Sequence, residues 1–262
     1  MGQAEEAALK AGRMLRENQD KCIEVVYKGA IDIVTNFDQR SQELIFQHLS
    51  SLFPEHGFIA EEDLCEEKAG GFRWIIDPID GTTNYAHGIP AYCVSIALER
   101  DGEVILGVVF DPSREEMFTA VKGGKAFLNG KPIRVSKAEV LGRSLLATGF
   151  PYDIWESDVD NIRHCSRFLK KAQDIRRCGS AALDLCYVAC GRYDGFWEMK
   201  LKPWDVAAGG LIVESAGGRV SDFSGQQFSI YRPECLASNG LIHSEMIDVL
   251  QKGQEEYSRI RE

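Results

Sequence analysis

Two aspartates at the end of an apolar run form the first stretch whose residue types could do chemistry. Asp77 and Asp80 follow residues 74–76, Trp-Ile-Ile, which predict a buried strand. Ligands of layered α/β proteins tend to bind just beyond the ends of such strands. Pro78 fixes its own φ and biases Asp77 towards an extended backbone, so the turn that holds the carboxylates is stiff. The spacing therefore indicates a site that needs two firmly held carboxylates.

Gly81 and Thr82 come directly after these acids and offer a different kind of group. Glycine lets the backbone approach a ligand closely, and amides at a helix start form a ready phosphate site. In the alternative interpretation, Asp80 caps this helix and Asp77 is an ordinary turn residue, as most acids beside glycine or proline are. Read alone, the stretch leaves both interpretations open.

Two more carboxylates at element ends favour a binding site. Residues 58–60, Phe-Ile-Ala, end in Glu61, and Asp205 begins a helix of small apolar residues. Carboxylate oxygens are ligands that hard divalent cations take in proteins. Three segments far apart in the sequence therefore offer the ligands of a hard-cation site.

The charge balance agrees with such a site. With 30 basic and 40 acidic residues, the net charge is −10. This charge disfavours nucleic acid as the main partner, because phosphate backbones bind clustered Lys and Arg. An acidic protein can still bind an anionic small molecule if its carboxylates first collect divalent cations.

The composition predicts a globular protein of the cytoplasm. The chain has 262 residues, of which 44% are hydrophobic and 27% charged. Its N-terminus has no basic segment leading into an apolar one, and no apolar run reaches the roughly 18 residues of a membrane span. The eight cysteines form no C-x-x-C pair, which favours a reducing compartment over a disulfide framework. They are Cys22, Cys65, Cys93, Cys165, Cys178, Cys186, Cys190 and Cys235.

Periodic patterns predict the elements that position these groups in the first half of the chain. Ala4, Ala8, Ala11 and Leu15 recur at helical spacing and predict an opening amphipathic helix. Thr35, three residues before Asp38, resembles a capping box at the start of a second helix that ends near Pro54. The turn dipeptides at 101–102 and 129–130, Asp-Gly and Asn-Gly, predict a mostly antiparallel sheet. A separate short strand is expected at 23–27, and the strands of this sheet at 58–60, 73–76, 92–99, 104–110, 116–121 and 133–136.

From Ser144 onward, strands alternate with helices, which is typical of a layered α/β lobe. Strands are expected at 145–148, 174–177, 195–199 and 219–221, and helices near 157–171, 181–190, 206–216 and 243–252. No repeat or linker interrupts the chain, so we expect one compact unit over residues 1–262 with a cleft between two lobes. These would be residues 1–140, with the metal and phosphate groups, and 141–262, with Asp205 and the substrate pocket.

The same residues resemble the signature motifs of the inositol monophosphatase family. Residues 77–84, Asp-Pro-Ile-Asp-Gly-Thr-Thr-Asn, are similar to the first motif, and 204–209, running on to 214–218, are similar to the second. Residues 34–38, 60–62 and 196–199 resemble further blocks of the family: the first helix entry, the strand-end glutamate and the substrate-side strand. The resemblance covers nearly the whole chain.

This resemblance implies an α/β (α+β) fold, the layered αβαβα sandwich of the inositol monophosphatase and fructose-1,6-bisphosphatase type. It implies Mg²⁺-dependent hydrolysis of phosphate monoesters, inhibition by Li⁺ and a homodimer. It also implies metal ligands: Glu61, Asp77 and the main-chain carbonyl of Ile79 would hold a first ion, and Asp77, Asp80 and Asp205 a second. Glu61 would hold a weaker third ion through water.

The resemblance also implies catalytic and substrate-binding roles. A metal-bound water would attack, Thr82 would orient it, and Asp38 would accept from the Thr82 hydroxyl, with Glu61 as a second candidate base. The amides of Gly81 and Thr82 would bind phosphate. Glu198 and the backbone of residues 179–181, Gly179-Ser180-Ala181, would contact a polyol. As alternatives, Asp38 is a helix-terminus acid and Glu198 an ordinary edge-strand acid.

We expect inositol 1-phosphate as the substrate, and Asn84 is the marker within the first motif that favours this branch. One alternative is a broader sugar phosphatase that also cleaves fructose 1,6-bisphosphate and uses Arg176 or Lys202 for the second phosphate. Another is a protein-binding regulator of transcription, either in place of catalysis or in addition to it. We expect no nucleic-acid or membrane partner.

Overall fold

The computed structural model describes residues 1–19 and 23–260, with side chains through residue 252, so Cys22 lies outside the described residues. The helices are α1 (Gly2–Asn18), α2 (Asn36–Leu52), α3 (Thr82–Ala86), α4 (Ile162–Leu169), α5 (Ala181–Ala189), α6 (Pro203–Ser215) and α7 (His243–Ile260). The strands are β1 (Val25–Tyr27), β2 (Ile33–Thr35), β3 (Gly57–Ala60), β4 (Cys65–Glu66), β5 (Phe72–Asp80), β6 (Cys93–Arg100), β7 (Glu103–Asp111), β8 (Glu116–Val121), β9 (Ala126–Leu128), β10 (Lys131–Pro132), β11 (Leu145–Thr148), β12 (Asp174–Arg176), β13 (Gly195–Met199), β14 (Arg219–Ser221) and β15 (Glu234–Ser238).

The first large sheet has eight strands in the order β10-β9-β8-β7-β6-β5-β3-β4. All neighbouring pairs are antiparallel except β3 and β5. Asp101 and Asn129 have φ angles of 51° and 49°, and each is followed by a glycine with positive φ in a hairpin turn. The prediction of a mostly antiparallel sheet is therefore confirmed.

The second sheet has five strands in the order β12-β11-β13-β15-β14. Strand β11 is parallel to β12 and β13, whereas β15 is antiparallel to β13 and β14. Strands β1 and β2 form a separate antiparallel hairpin. The second sheet is built from residues C-terminal to those of the first, while the division into two lobes stays a prediction.

Three helix layers alternate with the two sheets. Helices α1 and α2 pack on the outer face of the first sheet, and α5 and α6 lie between the sheets. Helices α4 and α7 pack together, with Phe168 and Met246 against Trp197 of the second sheet. Each apolar face is thus covered by a neighbouring layer. This is the predicted αβαβα sandwich.

The predicted strand at residues 133–136 is wrong. Strand β10 ends at Pro132, which has no N–H to donate to a ladder. Beyond it the Val135 amide donates to the carbonyl of Ala216 at the end of α6, so the backbone leaves the sheet. Strand β9 escapes prediction because it has only three residues. Strand β15 escapes prediction because its sequence, Glu-Cys-Leu-Ala-Ser, contains Ala and Glu, which disfavour strands.

Two helix boundaries also differ from the prediction. Helix α4 begins at Ile162 rather than near Ser157, because its N-cap Asn161 has a left-handed φ of 69°. Helix α7 continues beyond Lys252 to Ile260. Among the described residues, no helix is both long enough and apolar enough to cross a membrane.

Candidate active site

The sequence predicts Asp77 and Asp80 just beyond the end of a strand. In the structure strand β5 runs from Phe72 to Asp80, so both acids lie within the sheet. Asp77 pairs with Ser95 of β6 and Asp80 with Cys93, so three steps along β5 oppose two along β6. This extra residue is a β-bulge, which re-aims the side chains that follow it. In a regular strand, residues three apart point to opposite faces. The bulge instead brings both carboxylates to one cleft.

A cleft of about 460 Å³ collects the predicted site residues from both sheets. Its walls include Asp32 and Lys28 from the β1–β2 hairpin and Tyr152 from the loop after β11. Within the described residues, Asp38 is the one predicted site residue that does not line it. The others that line it are Glu61, Asp77, Ile79, Asp80, Gly81, Thr82, Gly179, Ser180, Ala181, Glu198 and Asp205.

Asp80 joins the two halves of the cleft. Its Oδ2 accepts hydrogen bonds from Ser180 Oγ at 2.6 Å and from the Ala182 amide at 2.7 Å. Burial raises the pKa of Asp80, and these hydrogen bonds oppose the rise. The predicted substrate-side segment is therefore attached directly to a predicted metal ligand.

Asp77 is a buried acid and Asp205 a half-buried one, and the acids around each of them raise its pKa. Asp77 is 2% exposed, and its Oδ1 accepts from the Ile79 amide at 3.0 Å. Burial raises the pKa of Asp77 well above its usual value, and the charges of Glu61 and Asp80 add to the rise. Asp205 lies in the first turn of α6 and accepts from the Lys202 amide at 2.7 Å. Burial and the charge of Asp80 hold the pKa of Asp205 well above its usual value too.

Glu61 follows β3 and faces the hairpin residue Lys28. The Lys28 Nζ atom lies 2.6 Å from Glu62 Oε1 and 3.5 Å from Glu61 Oε1. Burial raises the pKa of Glu61 to about 8, although the Lys28 charge opposes the rise. Among the described residues Lys28 is the cation nearest to Glu61, and its charge therefore compensates the charge of this carboxylate only in part.

Thr82 and Asp38 make the contact that the sequence predicts. Thr82 Oγ1 lies 2.9 Å from Asp38 Oδ1 and 3.0 Å from the Ile79 carbonyl, so its single proton is shared between two acceptors. Asp38 Oδ2 accepts from the Thr35 amide at 2.7 Å and completes the capping box of α2. The two interpretations of Asp38 thus use different oxygens of one carboxylate. Burial raises its pKa to about 6.

Gly81 occupies a position that no other residue fits. Its φ is +100°, and a Cβ there would lie 2.9 Å from the Ala91 carbonyl oxygen and 3.2 Å from that of Gly179. Gly81 is the N-cap of α3, and its carbonyl accepts from the Tyr85 amide at 3.0 Å. The predicted helix start after the two acids is confirmed.

The fit of this cleft to a metal rests on its donor set. In the part of the chain that the structure describes, no three His, Cys, Asp or Glu side chains are already grouped so that they could hold a metal ion. The predicted ligands are nevertheless all oxygens, four carboxylates and one carbonyl, as hard divalent cations require. Their raised pKa values follow from burial and mutual repulsion, both of which a bound cation offsets. The residues fit a divalent ion.

Comparisons with known proteins identify the family. The model of the inositol monophosphatase family matches residues 2–255. The chain belongs to this family. Inositol monophosphatase 1 of Solanum lycopersicum is 42% identical over 261 residues, which cover 96% of this chain and 94% of the relative. The chain is accordingly an enzyme, a phosphatase of a family whose members are generally metal-dependent.

Two further relatives show the range of the family. A solved inositol monophosphatase from Anabaena (Nostoc) sp. has a TM-score of 0.88 and 40% identity, and the match covers 96% of this chain and 95% of that chain. The Nus factor SuhB of Escherichia coli is 41% identical over 244 residues, which cover 92% of this chain and 91% of the relative. The layered fold is shared with the solved family member.

Asn84 gains a physical role that the sequence does not reveal. Its Nδ2 donates to the Ala91 carbonyl at 2.6 Å and to the Cys178 carbonyl at 2.7 Å. These bonds connect the first motif to the segment that carries Gly179 and Ser180. Contacts between residues 84 and 178 have no local sequence signal, so sequence reasoning used Asn84 only as a family marker.

Sequence reasoning also leaves Tyr152 and Asp184 of the cleft wall without a role. Arg177 lines the cleft, whereas Arg176 pairs with Asp174 and is not part of the wall. Asp184 had a readable signal, because it is a single acid in the otherwise apolar helix α5. An acid that a helix buries among apolar residues is a candidate functional residue.

Proposed function

We propose that this chain hydrolyses phosphate monoesters with Mg²⁺ as cofactor, with inositol 1-phosphate as the substrate and water as the in-line attacking group. The observation that supports this most is the collection of Glu61, Asp77, Asp80 and Asp205 in one cleft, each buried or part-buried. Among the described residues Asp77, Asp80 and Asp205 have no ion pair, and Lys28 compensates Glu61 only in part, so these acids are suited to hold divalent cations. The family membership gives the reaction class.

The ligands divide into two overlapping sets. Glu61, Asp77 and the Ile79 carbonyl would hold one Mg²⁺, and Asp77, Asp80 and Asp205 a second, with Asp77 shared. Glu61 would also bind a weaker third ion through water. Bound in pairs, such ions lower the pKa of water and neutralise charge on both the attacking and the leaving oxygen.

The protein's own groups would orient the reactants. Thr82 donates a hydrogen bond to Asp38, so the Thr82 oxygen can accept a hydrogen bond from the attacking water and orient it towards phosphorus. Asp38, with a pKa of about 6, can hold the displaced proton. Glu61 is a second candidate base. The amides of Gly81 and Thr82 would bind the phosphate oxygens and stabilise the charge of the transition state.

A direct test compares phosphate release from a panel of monoesters, including inositol 1-phosphate, with Mg²⁺, with a chelator, and with Mg²⁺ plus Li⁺. We expect hydrolysis that requires Mg²⁺ and that Li⁺ inhibits. Asp80→Asn should fold, should lose most activity, and should show weaker Mg²⁺ binding by calorimetry. Unchanged turnover and Mg²⁺ affinity in this variant would rule out the proposed ligand set.

Finer expectations extend this proposal. We expect a homodimer, which light scattering of the purified protein would check, and a cytoplasmic location, which fractionation of cells would check. We expect no nucleic-acid or membrane partner.

Two other functions have specific support. Lys202 lines the cleft and is available for a second phosphate, as cleavage of fructose 1,6-bisphosphate would require. A clear preference for the bisphosphate over inositol 1-phosphate would favour this alternative. The relative named Nus factor SuhB supports an added regulatory role through protein binding. Capture of transcription proteins by a catalytically inactive variant would separate that role from catalysis.

A further inference from the structure

The side chain of Ser180 makes a contact that the proposed function does not use. Its Oγ donates to Asp80 Oδ2 at 2.6 Å, and Ser180 is 2% exposed. Ser180 is also the N-cap of α5, where its Oγ accepts from the Leu183 amide at 3.4 Å. A serine hydroxyl has one proton to donate, and an ionised carboxylate can only accept. The single proton of Ser180 is therefore directed at Asp80.

The contacts that hold Asp80 converge on one of its two oxygens. Besides the Ser180 hydroxyl, Oδ2 accepts from the Ala182 amide at 2.7 Å and from the Cys93 thiol at 3.8 Å. Donors that approach one oxygen from several directions fix the rotation of the carboxylate. Oδ1 receives none of these contacts, which leaves it for a cation in the cleft that Asp80 lines.

The charges around Asp80 differ between its two sides. Burial is the main cause of the raised pKa of Asp77 and of Asp205, and the charge of Asp80 adds to both. On the side of α5, the first amides of the helix carry partial positive charge, which stabilises a carboxylate placed there. Asp80 thus has favourable partners at the start of α5 and like charges in the cleft, where a bound cation would offset them.

We infer that Ser180 is a positioning residue for the metal site: its hydroxyl holds Asp80 by Oδ2, so that Oδ1 is presented to the Mg²⁺ of the proposed function. The inference rests on the proposed function and deepens it, because it assigns part of the metal affinity to a side chain that is not a ligand. Groups that hydrogen-bond a ligating carboxylate orient it and strengthen metal binding. Ser180 acts in this way across 100 residues of sequence.

A role as a helix cap alone is the competing interpretation of Ser180. Loss of the hydroxyl would then lower the stability of the chain and leave its Mg²⁺ affinity unchanged. Glycine is nearly as good an N-cap as serine, but it has no hydroxyl to donate. Ser180→Gly therefore separates the two roles, because it removes the contact with Asp80 at little cost to the cap.

The experiment measures the Mg²⁺ dissociation constant of the full chain by calorimetry without substrate. We expect Ser180→Gly and Ser180→Ala to bind Mg²⁺ about tenfold more weakly, because a group that orients a ligand is lost. Ser180→Thr keeps a hydroxyl and should bind within about threefold of the unmodified chain. Ser144→Ala is the matched control, since Ser144 is buried, donates to the Val140 carbonyl at 3.0 Å and does not line the cleft.

Unchanged Mg²⁺ affinity in Ser180→Gly and Ser180→Ala would overturn the inference. An equal loss in Ser144→Ala would also overturn it, because the effect would then belong to any buried hydroxyl. If Ser180→Ala does not fold, Ser180→Gly and Ser180→Cys decide, since a thiol is only a weak donor and should also bind Mg²⁺ more weakly than Ser180→Thr does. Failure of the proposed function looks different, because the unmodified chain would then neither bind Mg²⁺ nor hydrolyse the esters.

Discussion

Buried carboxylates in this protein lie in two kinds of surroundings. Glu99 on β6 is 2% exposed, and its Oε2 accepts from Arg73 Nε at 3.0 Å and Nη2 at 2.7 Å, while the Tyr231 hydroxyl lies 2.8 Å from both carboxylate oxygens. Asp111 on β7 is fully buried, and it accepts from the Arg114 guanidinium at 2.9 Å and from two backbone amides. Each of these acids has its cation within the chain.

The cleft acids differ from Glu99 and Asp111 in this respect. Asp77 is as deeply buried and Asp205 is half-buried, but the strongest electrostatic neighbours of both are other acids. Leaving a charge buried and uncompensated costs stability, whereas a paired buried charge costs little net free energy. Glu99 and Asp111 thus form ion pairs with arginines, whereas Asp77 and Asp205 form none among the described residues, as expected for carboxylates that bind a cation.

The largest effect should come from Asp205→Asn. Loss of one ligand is expected to lower kcat/KM with Mg²⁺ about a thousandfold, since several kcal/mol of charge stabilisation are removed. The same change relieves repulsion in metal-free protein, whose free energy of unfolding should rise by about 1 kcal/mol. Steady-state kinetics and urea unfolding in chelator measure the two effects. A metal-free variant that is less stable than the unmodified chain would contradict the contrast between the two surroundings.

Arg73→Met tests a buried carboxylate that has its cation within the chain. It leaves Glu99 buried without its guanidinium, and we expect the free energy of unfolding to fall by about 3 kcal/mol. Because Arg73 does not line the cleft, kcat/KM of the folded variant should stay within about twofold. Urea unfolding and kinetics at a temperature well below the transition would check this. A large loss of activity with unchanged stability would contradict the assignment of Arg73 and Glu99 as a structural ion pair.

The smallest expected effect is the pH dependence of the free energy of unfolding, which has one sign for the cleft carboxylates and the opposite sign for a buried histidine. Glu61 and Glu198 have pKa values of about 8 in the folded chain, so between their unfolded values and pH 8 the folded state binds more protons. Metal-free protein should therefore lose roughly 1 kcal/mol per group as the pH rises from 7 to 8. Mg²⁺ should reduce this dependence, because it neutralises the ionised acids.

The buried histidines act in the opposite direction. His243 bridges Ser221 and Ser238, and burial lowers its pKa to about 4. The unfolded state then binds more protons between pH 4 and 6.5, so stability is lost as the pH falls through that window. Unfolding curves at several pH values in chelator should resolve this acid-side loss from the loss that the cleft carboxylates cause as the pH rises. His243→Gln should weaken the acid-side loss only.

Much of the fold and the core of the site could be predicted from the sequence. The acids at 77, 80 and 205 are signalled by motifs of adjacent residues, and α2 by the capping box of Thr35 and Asp38. Asn84 and the hydroxyl of Ser180 were not assigned chemistry, because their contacts are with segments about 100 residues away. Strand β15 was missed because its neighbours β13 and β14, rather than its own composition, hold it in the sheet.

The bulge in β5 also limits how the chain can change. Trp74 and Ile76 pack in the core under α1 and α2, and Ile75 packs in the core shared with α5 and α6. Deleting one residue between Asp77 and Asp80 would remove the extra residue and restore a regular ladder, so the two carboxylates would lose the spacing that the bulge sets. Deleting one residue within 74–76 would instead shift part of β5 one step along its neighbours, which exchanges the side chains of the two cores. Insertions and deletions in β5 should therefore be tolerated far less than substitutions, because they change either the spacing of the two carboxylates or the register of the strand.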